Sequence, residues 1–186
     1  VQRLAVYSSL DEAQRALGHL TQTLSLHRAL GDRYGEAVTL TDIGWAGATL
    51  GEGQKALEHY TQALSIHRAL EISEEAATLN NSGLVYVALG ENQKAVEHLT
   101  QALSIHRASG NRHGEATTLT NVGGVHSTLG EKQKALEYFT QARDLYRAIG
   151  DSVREARMSS KIGEVSSALG RNISDRGEKQ KRSRRR

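Results

Sequence analysis

The sequence predicts an all-α solenoid of helix pairs, and three observations carry that expectation. The first is a repeat. QKALEHYTQALSIHRAL at 54–70 returns as QKAVEHLTQALSIHRAS at 93–109 and as QKALEYFTQARDLYRAI at 133–149, with shifts of 39 and then 40 residues. Self-similarity near 40 residues marks an array in which each repeat buries its apolar face only against its neighbours. The second is composition. Ala, Leu, Glu, Gln, Lys and Arg abound, proline is absent, and the 186 residues include one Phe and one Trp, the balance of a soluble helical chain. The third is the helical period: Ala56, Leu57, Tyr60, Ala63, Leu64, His67 and Leu70 fall on one stripe, with Glu58, Gln62 and Arg68 outside it.

Taken in order, the elements follow from that frame. Leu10 corresponds to Leu50 one repeat later, so the chain starts within a helix and reads as a piece of a longer array. Residues 1–170 then hold a partial first repeat, about three complete helix pairs and one unpaired last helix. In the first helix of the repeat spanning 41–70, Leu40, Ile43, Gly44, Gly47 and Leu50 share a face. Gly44 lets the two backbones approach closely, although glycine costs a helix ~1 kcal/mol relative to Ala. Gly83, Gly123 and Gly163 are expected to repeat that role. Gly51, Gly90 and Gly130 follow the leucine closing the first helix, where glycine forms a left-handed cap. A second turn is marked by Gly31-Asp32, Gly110-Asn111 and Gly150-Asp151. Its counterpart at 70–76, LEISEEA, is one residue shorter and lacks glycine, which predicts a longer helix there or a change of superhelical pitch. The helix over about 153–169 has no partner of its own, so Ile162 and Val165 are expected either to be exposed or to cap the preceding repeat.

Gly44, Gly83 with Tyr86 three residues on, and the trios Ala56, Tyr60, Ala63; Ala95, Leu99, Ala102; and Ala135, Phe139, Ala142 resemble the tetratricopeptide repeat over roughly residues 1–170. The 40-residue form, with NNSG and TNVG before the close-packed glycine and LGE between helices, is similar to the Leu-Gly-Asn-rich polarity adaptors. It is also similar to bacterial, particularly cyanobacterial, arrays attached to caspase-like protease domains. Two departures stand out: Arg68, Arg107 and Arg147 replace the proline that closes the second helix, and Leu40, Leu79 and Leu119 replace the first-helix Trp. The resemblance implies a right-handed superhelical solenoid of antiparallel helix pairs whose concave groove is lined by the first helices.

That groove makes the chain an expected protein–protein interaction scaffold or adaptor for a peptide or partner helix, with no enzymatic activity and no cofactor. Its candidate contacts are Asp42, Trp45, Asn80, Asn81, Leu84, Thr120, Asn121 and Lys161. An Asn side chain both donates to and accepts from a peptide backbone, so Asn81 and Asn121, at one place in successive repeats, suit recognition independent of ligand sequence. Trp45 offers an apolar anchor. Solvation, or bonding within their own helices, is the competing role for the asparagines, and packing against the next repeat is that for Trp45.

The histidines do not form a metal site. His27, His67 and His106 share one repeat position, as do His59 and His98, so members lie a helix-pair spacing of ~10 Å or more apart, too far for bonds of ~2 Å to one ion. Tyr146 and Tyr138 take those positions in the last repeat, which points to semi-buried packing with a polar tip. No phosphate loop or nucleophile motif occurs. Cysteine is absent, which excludes thiol redox chemistry and thiolate metal sites. No apolar run nears the ~20 residues needed to cross a bilayer and no signal-peptide pattern opens the chain, so a cytoplasmic location is expected.

Residues 171–186 differ in character: eight Lys or Arg against Asp175 and Glu178 give +6 of a chain total of +3, leaving −3 over 1–170. This segment is expected to be a disordered basic tail. Lys179, Lys181, Arg182, Arg184, Arg185 and Arg186 carry the alternative function, a nucleic-acid-associated adaptor. GEKQK at 177–181 repeats 130–134, so the segment also looks like a broken repeat, and self-association through unfinished ends is a third expectation.

Overall fold

The computed structural model describes residues 10–72 and 74–183, with side chains described through residue 170. Eight helices and no strand occur among them: α1 Leu10–Leu30, α2 Arg33–Thr49, α3 Gly53–Leu70, α4 Glu75–Ala88, α5 Asn92–Ala108, α6 Arg112–Thr128, α7 Lys132–Ala148 and α8 Ser152–Ser183. This is an α-solenoid of helix pairs. The chain divides into two compact units, Val1–Ser109 and Gly110–Arg186. In the first, α1 packs on α2, α2 on α3, α3 on α4 and α4 on α5; in the second, α6 packs on α7 and α7 on α8.

Unit 1 owes its cohesion to a series of small aliphatic clusters. Leu24, Ala37, Leu40, Ile43, Ala63 and Ile66 join α1, α2 and α3. Ala56, Leu57, Tyr60 and Val85 join α3 to α4, and Leu64, Leu79 and Ala102 join α3, α4 and α5. Each buried Leu or Ile stabilises by about 1.5–3 kcal/mol, so cohesion is spread along the array. Leu70, expected on the core stripe, is 41% exposed because it stands at the end of α3, past the last turn that α4 covers.

The expected close-packed glycines hold in three repeats and fail in the fourth. A Cβ on Gly44 would stand 2.6 Å from the Tyr60 ring, one on Gly83 2.8 Å from Leu99, and one on Gly123 2.7 Å from Phe139. A Cβ on Gly163 would meet no described atom within 4 Å. The reason is that α8 does not turn back on itself to supply the second helix of its pair. It continues to Ser183, through the segment expected to be a disordered tail from 171. That segment lacks proline and carries Arg, Lys, Glu and Gln, so the helix already under way continues through Gly177 despite its cost of ~1 kcal/mol. Met158 is buried and Ile162 and Val165 are half-buried, so α8 covers the end of unit 2 with this face.

Both turn types close as left-handed glycine caps. Gly51, Gly90 and Gly130 have φ of 79°, 77° and 75°, and the amides of Glu52, Glu91 and Glu131 each donate back to Gly47, Tyr86 and His126 carbonyls at 2.9 Å. Between pairs, Gly31, Gly110 and Gly150 have φ of 69°, 67° and 77°, and Asp32, Asn111 and Asp151 then cap the next helix by accepting from the amides of Gly35, Gly114 and Arg154. At the glycine-free turn α3 does not run on. Glu71 takes the glycine's left-handed conformation, with φ 53° and ψ 41°.

Candidate functional site

The expected contact residues of the first helices are half-buried and are divided among different places on the two units. In unit 1 the C-terminal halves of α2 and α4, with the α2–α3 turn, enclose a slot of about 440 Å³. Trp45, Ala48, Leu84, Val85, Ala88 and Leu89 supply apolar walls, and Asn81 and Thr49 add polar side chains to the lining. The slot exists because two large residues, Trp45 and Leu84, occupy the equivalent place on neighbouring first helices, while Gly51 and Gly53 keep the floor low. Trp45, Asn81 and Leu84 are all half-buried. Volume and lining both match a small binding site, which is concave and mostly apolar with few oriented polar groups.

Asp42 lies elsewhere. It lines a second cleft of about 690 Å³ between α1 and α2, beside Leu20, His27, Asp32, Tyr34 and Val38. The Asp32 carboxylate there is held below its usual range by the Gly35 amide and by His27, whose Nδ1 lies 2.8 Å away. Asn80 is half-buried on α4 and is not among the lining of the slot.

In unit 2 the counterpart of Trp45 and Leu84 is Gly124, next to which a Cβ would find open space, so the apolar wall is missing. Thr120 is turned inward: its hydroxyl bonds the Ala116 carbonyl at 2.9 Å and lies 3.4 Å from Met158 Sδ. Lys161 sets its ammonium 5.7 Å from the centre of the Phe139 ring, a cation–π contact. Asn121 is half-buried on α6. Lys179, Lys181 and Arg182 fall on the helical backbone of α8, but their side chains lie outside the described residues, as do Arg184, Arg185 and Arg186 entirely.

Two features escaped the sequence reading. Arg28, Arg68 and Arg147, at the place of the missing proline, reach across their turns to Glu36, Glu75 and Glu155 at 2.9, 2.7 and 2.8 Å. The signal was present as an Arg eight or seven residues before a Glu-Ala in each turn. The other is a pair of polar contact groups on α4, one reaching α2 and α3 and one reaching α5. Thr41 Oγ1 lies 3.0 Å from Thr78 Oγ1, which lies 3.3 Å from His67 Nδ1, and Ser82 Oγ lies 2.7 Å from His98 Nδ1. Burial pushes His67, His98 and His59 below the ordinary histidine value.

With three helix pairs, small-residue seams and glycine caps in place, the comparison with known families is decisive. The sequence pattern of the tetratricopeptide repeat matches residues 5–69 and 74–148. The chain belongs to the tetratricopeptide repeat family. No curated protein matches it in sequence. Among solved structures, it is similar to BtubC (BKLC) from P. vanneervenii, with 18% identity, a TM-score of 0.73, and coverage of 84% of this chain and 66% of that one. It is also similar to a Signal Transduction ATPase with Numerous Domains carrying a tetratricopeptide repeat sensor, from Pyrococcus horikoshii, at 19% identity and TM-score 0.70, covering 89% of this chain and 28% of that one. A putative kinesin light chain with nearly identical TPR-like repeats, from Podosopora anserina, matches at 17% identity and TM-score 0.63 over 87% and 90% of the two chains. At such identities the likeness is one of fold. Tetratricopeptide repeats are in general non-enzymatic interaction scaffolds. Among the described residues no helix is long and apolar enough to cross a membrane.

Proposed function

We propose that this tetratricopeptide repeat chain is an adaptor that seats an apolar side chain of a partner peptide or helix in the slot of Trp45, Leu84 and Leu89, while Asn81 bonds the peptide backbone. The single observation that supports this reading is the slot itself, an apolar cavity of about 440 Å³ with one amide at its rim. Charge specifies the rest of the partner. Residues 1–109 hold twelve Asp or Glu against eight Lys or Arg, a net −4, so basic residues flanking the apolar anchor complete the match. The 39- to 40-residue repeats and their LGE turns support kinship with the Leu-Gly-Asn-rich adaptors and caspase-associated bacterial arrays, where partner capture is the role.

The test is a random peptide display library panned against the chain, with hits titrated by the fluorescence of Trp45, the only tryptophan. Hits should share one large apolar residue next to Lys or Arg. Leu84→Asp, which puts a charge into the slot, should abolish their binding, and Asn81→Ala should weaken it by about tenfold, the ~1.4 kcal/mol of one well-made hydrogen bond. Peptides that bind the Leu84→Asp variant as well as the parent would refute the slot.

A further inference from the structure

The histidines at second-helix positions form a pattern that ligand binding does not explain. His59, His67 and His98 all lie in unit 1, and Tyr138 and Tyr146 occupy the corresponding places in unit 2. Two of them hold one helix. His67, on α3, is 1% exposed and meets Thr78 of α4, and His98, on α5, meets Ser82 of α4 at 2.7 Å and packs edge-on against the Tyr86 ring at 5.0 Å. The helix so gripped carries Asn81, Leu84, Val85 and Ala88, one whole wall of the slot.

We infer that unit 1 is a proton-operated clamp: acidification charges His67 and His98, releases α4 from α3 and α5, and dismantles the slot. The consequence for binding rests on the slot reading, but the release of α4 does not. The geometry leaves no room for a second ring proton on His67, because its Nε2 is buried and has no hydrogen-bond partner among the described residues. A proton there creates a buried cation with an unsatisfied N–H, which a folded seam does not tolerate. His59, with Nδ1 likewise buried and unpartnered, adds to the effect at the α2–α3 seam.

The surrounding charges set the strength of the response. Around His67, Glu74 and Glu75 at the start of α4 favour its charged form, but burial outweighs them. Around His98, burial and the Arg68 guanidinium from α3 both oppose a proton, with Glu97 favouring it. At His59, burial and Arg28 of α1 oppose it while Glu58 favours it, and Glu52 and Lys55 line the same cleft. All three rings are therefore held neutral below the pH at which a free histidine charges. The unfolded chain binds protons that the folded unit refuses, so stability is complete above the free-histidine value near 6.5 and is lost as pH falls through it towards the depressed folded values.

Urea unfolding of the full chain, followed by Trp45 fluorescence at steps between pH 7.5 and 5.0, tests this. The folding constant should fall as pH drops below 6.5, by at most about tenfold per pH unit for each ring that stays neutral. His59→Tyr with His98→Tyr, copying Tyr138, should remove most of that slope; an unchanged slope overturns the inference. Should the double variant not fold, NMR titration of the parent's ring protons decides. Midpoints for His67 and His98 below the free value support the clamp, and ordinary midpoints near 6.5 overturn it. At pH 7.5 slot peptides, if the slot reading is right, bind with full affinity, so failure of that reading leaves the acid slope untouched.

Discussion

Replacing Glu71 by glycine should make the chain more stable, contrary to the usual direction for a surface substitution. Glu71 holds φ 53° and ψ 41° at the turn between α3 and α4, where the three corresponding residues Gly31, Gly110 and Gly150 hold φ of 67–77°. A left-handed conformation costs a residue bearing Cβ about 1–2 kcal/mol. Glycine returns about 0.5–1 kcal/mol of that through the greater freedom of the unfolded chain. The strain also shows in the capping bond, since the Ile72 amide stands 3.2 Å from the His67 carbonyl, against 2.9 Å for Asp32 to His27 and for Asp151 to Tyr146. The net gain for Glu71→Gly is thus about 0.5–1 kcal/mol. With a urea dependence of about 2 kcal/mol per molar, the midpoint read by Trp45 fluorescence should rise by about 0.3–0.5 M with unchanged slope. Trp45 suits this measurement because it packs beside α4, the helix that follows the turn. Gly31→Ala, the reverse exchange at an equivalent cap, should lower the midpoint. A Glu71→Gly midpoint at or below the parent's would refute the view that this turn is a strained glycine cap.

The other substitutions separate packed glycines from idle ones. Gly44→Ala should cost about 1–3 kcal/mol, because the added methyl stands 2.6 Å from the ring of Tyr60, which is fully enclosed and cannot recede; thermal unfolding by circular dichroism reads it. Gly163→Ala, which meets no described atom within 4 Å, should instead gain up to ~1 kcal/mol of helix propensity in the same assay. Tyr60→Phe should be neutral or stabilising by about 1 kcal/mol, since the Tyr60 hydroxyl is buried without a partner among the described residues and Leu99 and Phe139 fill its place in later repeats. A loss above 1 kcal/mol in urea unfolding would show that the hydroxyl is satisfied after all.

The parts of this fold that were legible are those in which sequence acts locally and repeatedly. Glycine before a capped helix, and glycine two positions after Asp42, Asn81 and Asn121, each dictate one contact that recurs with the period. The illegible parts depend on what a segment packs against. GEKQK at 130–134 crosses a turn, with Gly130 at φ 75° opening α7, whereas the same five residues at 177–181 lie inside α8. The pentapeptide does not decide between them. Leu129 before Gly130 and Arg176 before Gly177 differ in what a returning helix would bury, and without that burial the helix simply extends. Glu71 misled for a related reason: the lack of a glycine suggested no turn, yet the packing of α3 on α4 is worth more than the strain at one residue. The slot lay between these extremes. Trp45 and Leu84 were visible as an exposed row, but their closing with Leu89 and the Gly51–Gly53 floor into a cavity needed the geometry of the turn.

The variation within the repeats also bears on function. Core positions barely change from one repeat to the next, as Ala56, Ala95 and Ala135 show, each fully buried. One row does change in chemistry while keeping its place two residues before the glycine: Asp42, Asn81, Asn121 and Lys161 run from anionic through neutral to cationic. A position that served packing would keep its volume and polarity, and this one does not. The row is therefore polar throughout but not uniform in charge, its two members in unit 1, Asp42 and Asn81, being anionic and neutral. Under the proposed adaptor function, the net charge of −4 over residues 1–109, Asp42 included, calls for a peptide whose basic residues flank its apolar anchor.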